Sequence, residues 1–148
     1  MNAVVIGAAK PGYAEAITRK LIKNGFKVIG TYDTEFEENA TKLSKEFSSE
    51  KLTLKSLDLS SRNDLKSFVD DIVDPIDAFV FAQFYFDMEN PDDFNHEIWD
   101  KSIAINLTAP NYLIHELKNK MNAGSSIVIL TSTEGFSCLL YTSPSPRD

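Results

Sequence analysis

Val4-Val5-Ile6-Gly7-Ala8-Ala9-Lys10-Pro11-Gly12-Tyr13-Ala14 passes from an apolar run through a small, turn-prone loop into an amphipathic helical pattern. That is the order strand, tight turn, helix. A turn of this kind gathers free backbone N–H groups and the positive end of a helix dipole at one point, which suits a phosphate. Glycines at this spacing are also compatible with a plain βα turn that binds nothing, so the rest of the chain has to decide between the two.

Working outward, Ala3 to Ile6 reads as strand one, and Ala14, Ile17, Leu21 and Ile22 fall on one face of a helix. Asn24-Gly25 ends it, with Gly25 suited to a left-handed C-terminal position. Phe26 to Tyr32 reads as strand two, and Ala40, Leu43 and Phe47 mark a helix over about Glu37 to Phe47. Leu52 to Leu57 is strand three. Ser61 to Asp64 has the S-x-x-D form of a helix start, followed by the stripe Leu65, Phe68, Val69 and Ile72. Asp77 to Ala82 is strand four, apolar almost throughout as in a parallel strand covered on both faces. A polar, aromatic-tinged loop over Tyr85 to Asn95 leads into a long helical pattern from about His96 to Met121. Ser126 to Leu130 is strand five, and Thr131 to Gly135 is the loop after it. Strands alternating with helices imply right-handed crossovers and a parallel sheet. The fold class is therefore α/β, a doubly wound parallel sheet, with no internal repeat and no interdomain linker.

Composition narrows the function classes. A chain of 148 residues with 43% hydrophobic residues is one domain with a sizeable core. Its net charge of −7 argues against nucleic acid or an anionic membrane as partner. No apolar run approaches the length needed to span a bilayer, and Val4 to Ile6 is too short for a signal-peptide core. A single cysteine excludes an internal disulfide framework, and the cytoplasm is the expected compartment. His96 and His115 lack partners at metal-ligand spacing and read as surface histidines. Glu35, Glu37 and Glu38 read as a solvated helix start. Phe81, Phe84, Tyr85 and Phe86 are candidates for either a pocket lining or core packing.

The last eleven residues, Cys138 to Asp148, change character and show neither a strand nor a helix period. They resemble the translation of a transposase sequencing adapter. The expectation is that this tail is not native, that Cys138 and Tyr141 carry no function, and that the α/β domain over residues 1–136 is incomplete. A sheet ending at strand five keeps an uncovered edge, so poor folding is expected.

By strand five the chain resembles the short-chain dehydrogenase/reductase family, in register over residues 3–136. The resemblance rests on the glycine loop and on Asp58-Leu59 after strand three, which looks like the family's adenine-contacting pair. Asp77 looks like the opening of its D-x-L-V-N-N-A-G segment. Trp99 followed by Asn106-Leu107-Thr108 is similar to its W…N-x-T/S signature, and Ile127 to Gly135 is similar to I-V-N-I-S-S-x-x-G. The resemblance implies a Rossmann fold, an NAD or NADP cofactor, and hydride transfer with a small-molecule carbonyl or alcohol substrate. It also implies a homo-oligomeric full-length protein, and no nucleic acid or membrane partner. Its catalytic residues carry over to Ser132, which would position the substrate oxygen, and to Asn106, which would organise a proton-relay water. Pro110 lacks the N–H that would bond the Asn106 carbonyl, as a water-holding kink requires; it could equally start a new helix. Cofactor binding carries over to Gly7, Lys10, Gly12, Tyr13, Asp33, Asp58, Leu59 and Ala82.

The departures are specific. Pro11 lengthens the glycine loop, Ala14 replaces its third glycine, and Phe81-Ala82-Gln83-Phe84 replaces N-N-A-G. A tyrosine needs a neighbouring cation to act as a base near neutral pH, and the family supplies both in Y-x-x-x-K. In register that tyrosine falls at Ser145; Tyr141 comes too early and has Ser145 where its lysine would be. The chain as it stands is therefore expected to be inactive, with a non-catalytic nucleotide-binding regulator as the alternative reading. Asp33 near the end of strand two would repel the extra phosphate of NADP, whereas Lys10 would attract it; the balance leans to NAD.

Overall fold

The computed structural model of the protein describes residues 1–87 and 94–132. Five strands form one sheet, β1 (Asn2–Ile6), β2 (Lys27–Tyr32), β3 (Leu52–Ser56), β4 (Ile76–Phe81) and β5 (Met121–Ile129). Their order is β3-β2-β1-β4-β5, and every pair is parallel. The doubly wound sheet read from the sequence is thus present. Helices α1 (Tyr13–Lys23), α2 (Glu37–Glu46), α3 (Arg62–Asp71), α4 (His96–Ile103) and α5 (Ala109–Leu117) supply the crossovers.

The core has two halves because strand side chains alternate between faces. Val4, Ile6, Phe79 and Phe81 pack with Leu65, Phe68, Ile105 and Leu113 on one face. Ala3, Val5, Val28 and Val80 pack with Ala14, Ile22 and Leu43 on the other. Burial on both faces is why β1 and β4 read as unbroken apolar runs. Among the described residues, no helix is long and apolar enough to cross a membrane.

Local signals set several boundaries. Ser61 caps α3 by accepting the Asp64 N–H, as the S-x-x-D spacing predicts. Lys120 Nζ donates to the Val69 and Ile72 carbonyls at 2.7 and 2.6 Å and so ties residue 120 to the C-terminal end of α3. The long helical segment after residue 95 is not uniform. A five-residue π-helical segment, Ala104–Thr108, separates α4 from α5, and Pro110 lies in the first turn of α5. Pro110 has no N–H for the Asn106 carbonyl, and the α-helix is interrupted just before it and then restarted.

One boundary differs from expectation. The helix predicted to reach Met121 ends as a 3-10 turn at Lys118–Lys120, and β5 begins at Met121, not Ser126. Met121 pairs with Ile76, and the register shifts before Ser126 pairs with Ala78. The extra residues form an irregularity that contains Gly124 at φ 83°.

Candidate functional site

In a parallel sheet all the strands end on the same edge. The chain runs from β1 outward to β2 and β3, then returns past β1 to β4, so the connections diverge between β1 and β4. Ligands of open α/β sheets bind in the crevice at such a point. Here the crevice is bounded by the loop after β1, residues 7–12, and the segment after β4, residues 82–87.

The first wall is the glycine loop. Gly7 has φ 83° and Gly12 has φ 98°, conformations that side chains rarely adopt. The Lys10 N–H closes a turn on the Gly7 carbonyl at 2.9 Å. The Gly7 N–H donates to the buried Thr31 Oγ1 at 3.1 Å, and Thr18 Oγ1 lies 3.1 Å from the Ala8 carbonyl, so β2 and α1 both anchor the loop. At Gly30 in β2, an added Cβ would lie 2.4 Å from Ala8 Cβ; the bare backbone there lets the loop sit against the strand. No side chain caps the start of α1, and the Glu15 N–H bonds the Lys10 carbonyl at 3.1 Å, which folds the loop back onto the first turn of the helix.

The second wall carries the substituted segment. The Ala82 N–H bonds the Ile6 carbonyl at 2.9 Å, which continues the sheet by one residue. Gln83 is 9% exposed, and its Oε1 is buried with no hydrogen-bond partner. Phe84 lies parallel to Tyr13 across the crevice, with ring centroids 6.4 Å apart. Lys10 Nζ reaches over to donate to the Phe84 carbonyl at 3.3 Å and sits 3.7 Å from the Phe84 ring centroid. Burial lowers the Lys10 pKa, against the opposing pull of Glu35 and Asp33, while burial raises that of Tyr13.

Asn106, in the π-helical segment, holds the second wall in place. Its Oδ1 accepts the Tyr85 N–H at 2.9 Å and its Nδ2 donates to the Tyr85 carbonyl at 2.8 Å and to Ser102 Oγ at 3.3 Å. A side-chain amide can replace a strand neighbour in this way because it offers one donor and one acceptor side by side.

Between the walls lies a cavity of about 680 Å³ whose lining includes Tyr13, Gln83, Phe84, Asn106 and Ser132. The structure therefore brings Tyr13, Asn106 and Ser132 together, with Gly7, Lys10, Gly12 and Ala82 along the same crevice. Phe81, Phe84, Tyr85 and Phe86 all line the cavity. Asp33 and Asp58 follow β2 and β3 on the same edge but outside this lining. Asp33 Oδ1 accepts from the Glu35 N–H at 3.3 Å, and Asp58 Oδ1 accepts from the Ser60 N–H at 2.8 Å. The Leu59 side chain belongs to the core. The sequence marked Phe81 and Phe84 as candidate pocket residues and Ala82 as a cofactor contact, but it did not single out Gln83. The available signal was a polar amide at the end of an apolar strand. The Tyr-x-x-x-Lys register at Ser145 lies outside the described residues.

Fold and crevice together define a doubly wound α/β domain of the dinucleotide-binding kind. A family model described as enoyl-(acyl carrier protein) reductase matches residues 7–139, and the chain belongs to the short-chain dehydrogenase/reductase family. Solved structures agree on the fold. A blue fluorescent protein from a metagenomic library, in complex with NADPH, is 22% identical with a TM-score of 0.85, over 93% of this chain and 58% of that one. BdcA in complex with NADPH is 23% identical with a TM-score of 0.82, over 92% and 53%. A short-chain dehydrogenase family protein from Francisella tularensis is 24% identical with a TM-score of 0.75, over 98% and 54%. This chain thus spans between 53% and 58% of the length of those structures. No curated protein matches it in sequence.

Proposed function

We propose that this chain is the cofactor-binding part of an NAD(P)-dependent oxidoreductase that transfers hydride between a nicotinamide and a small carbonyl or alcohol substrate. The observation that carries this reading is the crevice itself. An uncapped helix start stands at one end, and a cavity lined by Asn106 and Ser132 lies across the divergence of β1 and β4. The first N–H groups of α1 would receive the diphosphate, with Gly7 and Gly12 keeping side chains out of its way. The bound nicotinamide would supply or accept the hydride. Ser132 would orient the substrate oxygen from the C-terminal end of β5, and Asn106 fixes the segment against which the cofactor lies. The NADPH in two similar structures supports a nicotinamide dinucleotide over other phosphates.

The chemistry also needs a base whose pKa is brought toward neutrality, and the family's tyrosine and lysine are not in register here. The 148-residue chain therefore binds cofactor without turning substrate over. Lys10 would attract the additional phosphate of NADP, whereas Asp33 and Glu35 beside it would repel it, and the two carboxylates favour NAD. Titration with NADH and NADPH, followed by nicotinamide fluorescence, tests both points. Saturable binding with NADH the tighter ligand is expected, and no binding of either sinks the reading. Binding without turnover also suits a non-catalytic sensor on this fold, a reading favoured by the replaced Phe81–Phe84 segment. A longer form of the protein carrying tyrosine and lysine in register, and active on carbonyl compounds, would exclude that alternative.

A further inference from the structure

Gln83 is the only glutamine in the chain, and its side chain is nine-tenths buried in the crevice wall without a hydrogen-bond partner for Oε1. A buried amide oxygen left unpaired is destabilising, so its position calls for a donor. Gly7 makes room for it: a Cβ at Gly7 would come within 2.9 Å of Gln83 Oε1 and 3.2 Å of the Gln83 backbone nitrogen. The amide therefore sits directly against the glycine loop. It also lines the cavity shared with Tyr13, Asn106 and Ser132, on the side away from Asp33 and Asp58. The last torsion of a glutamine is soft, so a small rotation turns the oxygen toward the cavity.

Resting on the reading of the crevice as a dinucleotide site, we propose that Gln83 recognises the ribose joining the diphosphate to the reactive ring, accepting a hydrogen bond from one of its hydroxyls. The missing partner must be a donor. A diphosphate at neutral pH offers only acceptors, so it leaves Oε1 unpaired. The amide of the reactive ring has donors, but with Ser132 orienting the substrate oxygen that ring would lie toward Ser132. The hydroxyls of the intervening ribose would then be the donors nearest the glycine loop. Gln83 is thus a binding residue for the half of the cofactor that carries the chemistry.

Two ligands separate these parts. ADP has the diphosphate and the adenosine ribose; ADP-ribose adds the second ribose without the ring. Because the chain has one glutamine, selective 15N labelling of glutamine side chains yields a single NH₂ pair from Gln83. ADP-ribose is expected to shift that pair, and ADP to leave it nearly unmoved. By calorimetry, Gln83→Met is expected to weaken ADP-ribose about tenfold and to change ADP by less than about twofold, the tenfold loss corresponding to ~1.4 kcal/mol. If Gln83→Met fails to fold, the labelled wild-type spectra decide alone. Equal responses to ADP and ADP-ribose, or a response only to ligands carrying the ring, would overturn the inference while leaving the dinucleotide site intact. Failure of the wild type to bind any of these ligands would remove both.

Discussion

Glycine substitutions separate two physical demands that look identical in the sequence. Gly12 needs its backbone conformation, φ 98°, yet nothing lies within 4 Å of an added Cβ. Gly30 has an ordinary backbone, but a Cβ would strike Ala8 Cβ at 2.4 Å and Leu54 Cδ2 at 2.8 Å. Gly7 faces both demands, φ 83° and the Gln83 amide at 2.9 Å. Strained backbone and overpacking each cost about 1–3 kcal/mol. Urea denaturation should therefore rank Gly7→Ala as more damaging than Gly12→Ala, with Gly30→Ala also destabilising by about 1–3 kcal/mol despite its ordinary backbone. A Gly30→Ala variant as stable as wild type would show that the loop after β1 is free to move off β2.

At the scale of elements, the end of the sheet opposite the crevice is tied by Asp77. Its carboxylate accepts from Asn122 Nδ2 at 2.7 Å and from the Asn2 N–H at 2.6 Å, which joins β1, β4 and β5. The Asn122 bond first, and the Asn2 bond second, hold the Asp77 pKa below the ordinary carboxylate range. The folded pKa is lower than the unfolded one. The stabilisation is therefore complete above the unfolded value of about 3.9 and is lost as pH falls through the folded value. Thermal melts from pH 6 down to 2 should show a decline below about pH 4 that Asp77→Asn lacks. An unchanged decline in that variant would assign it to other carboxylates.

Features set within one helix turn were legible in the sequence, and those set by a partner on another element were not. Ser61 with Asp64, and Pro110 after Asn106, were legible because each acts within a turn or so of its own helix. The helical pattern reads on to Met121 with no local signal for a change, and the conversion to strand there depends on Ile76 in β4. Gln83 was opaque for the same reason: its meaning lies in Gly7, across the crevice and distant in sequence. The parallel sheet was readable because it follows from the alternation of strands and helices; the order of its strands was not. The cofactor preference was not, because Lys10 can be weighed only once its contact with Phe84 and the acids beside it are known.

For the whole molecule, β5 is the feature that governs behaviour in solution. It pairs only with β4 in the described sheet, and Ile127, Val128 and Ile129 are each between 44% and 48% exposed, on both faces of the strand. An open, apolar edge of this kind templates association. Light scattering should show concentration-dependent growth for the 148-residue chain. Val128→Lys should suppress it without changing the circular dichroism, since a charge on an edge strand blocks pairing. A wild-type chain that stays monomeric at high concentration would show that the expectation of an adhesive edge is mistaken.

Strand order also sets a timetable for synthesis. β1 can pair with β2 once residue 32 is available, and β3 then adds beyond β2, but the other side of β1 waits for Ile76–Phe81. At roughly 5–20 residues per second, that wait lasts on the order of 2–10 s on a ribosome. Through that interval the glycine loop exists without the opposing wall, and Gly7 has no Gln83 above it. Arrival of β4 sets the two walls opposite each other, so the crevice exists in a nascent chain only after the hydrophobic centre of the sheet has begun to close.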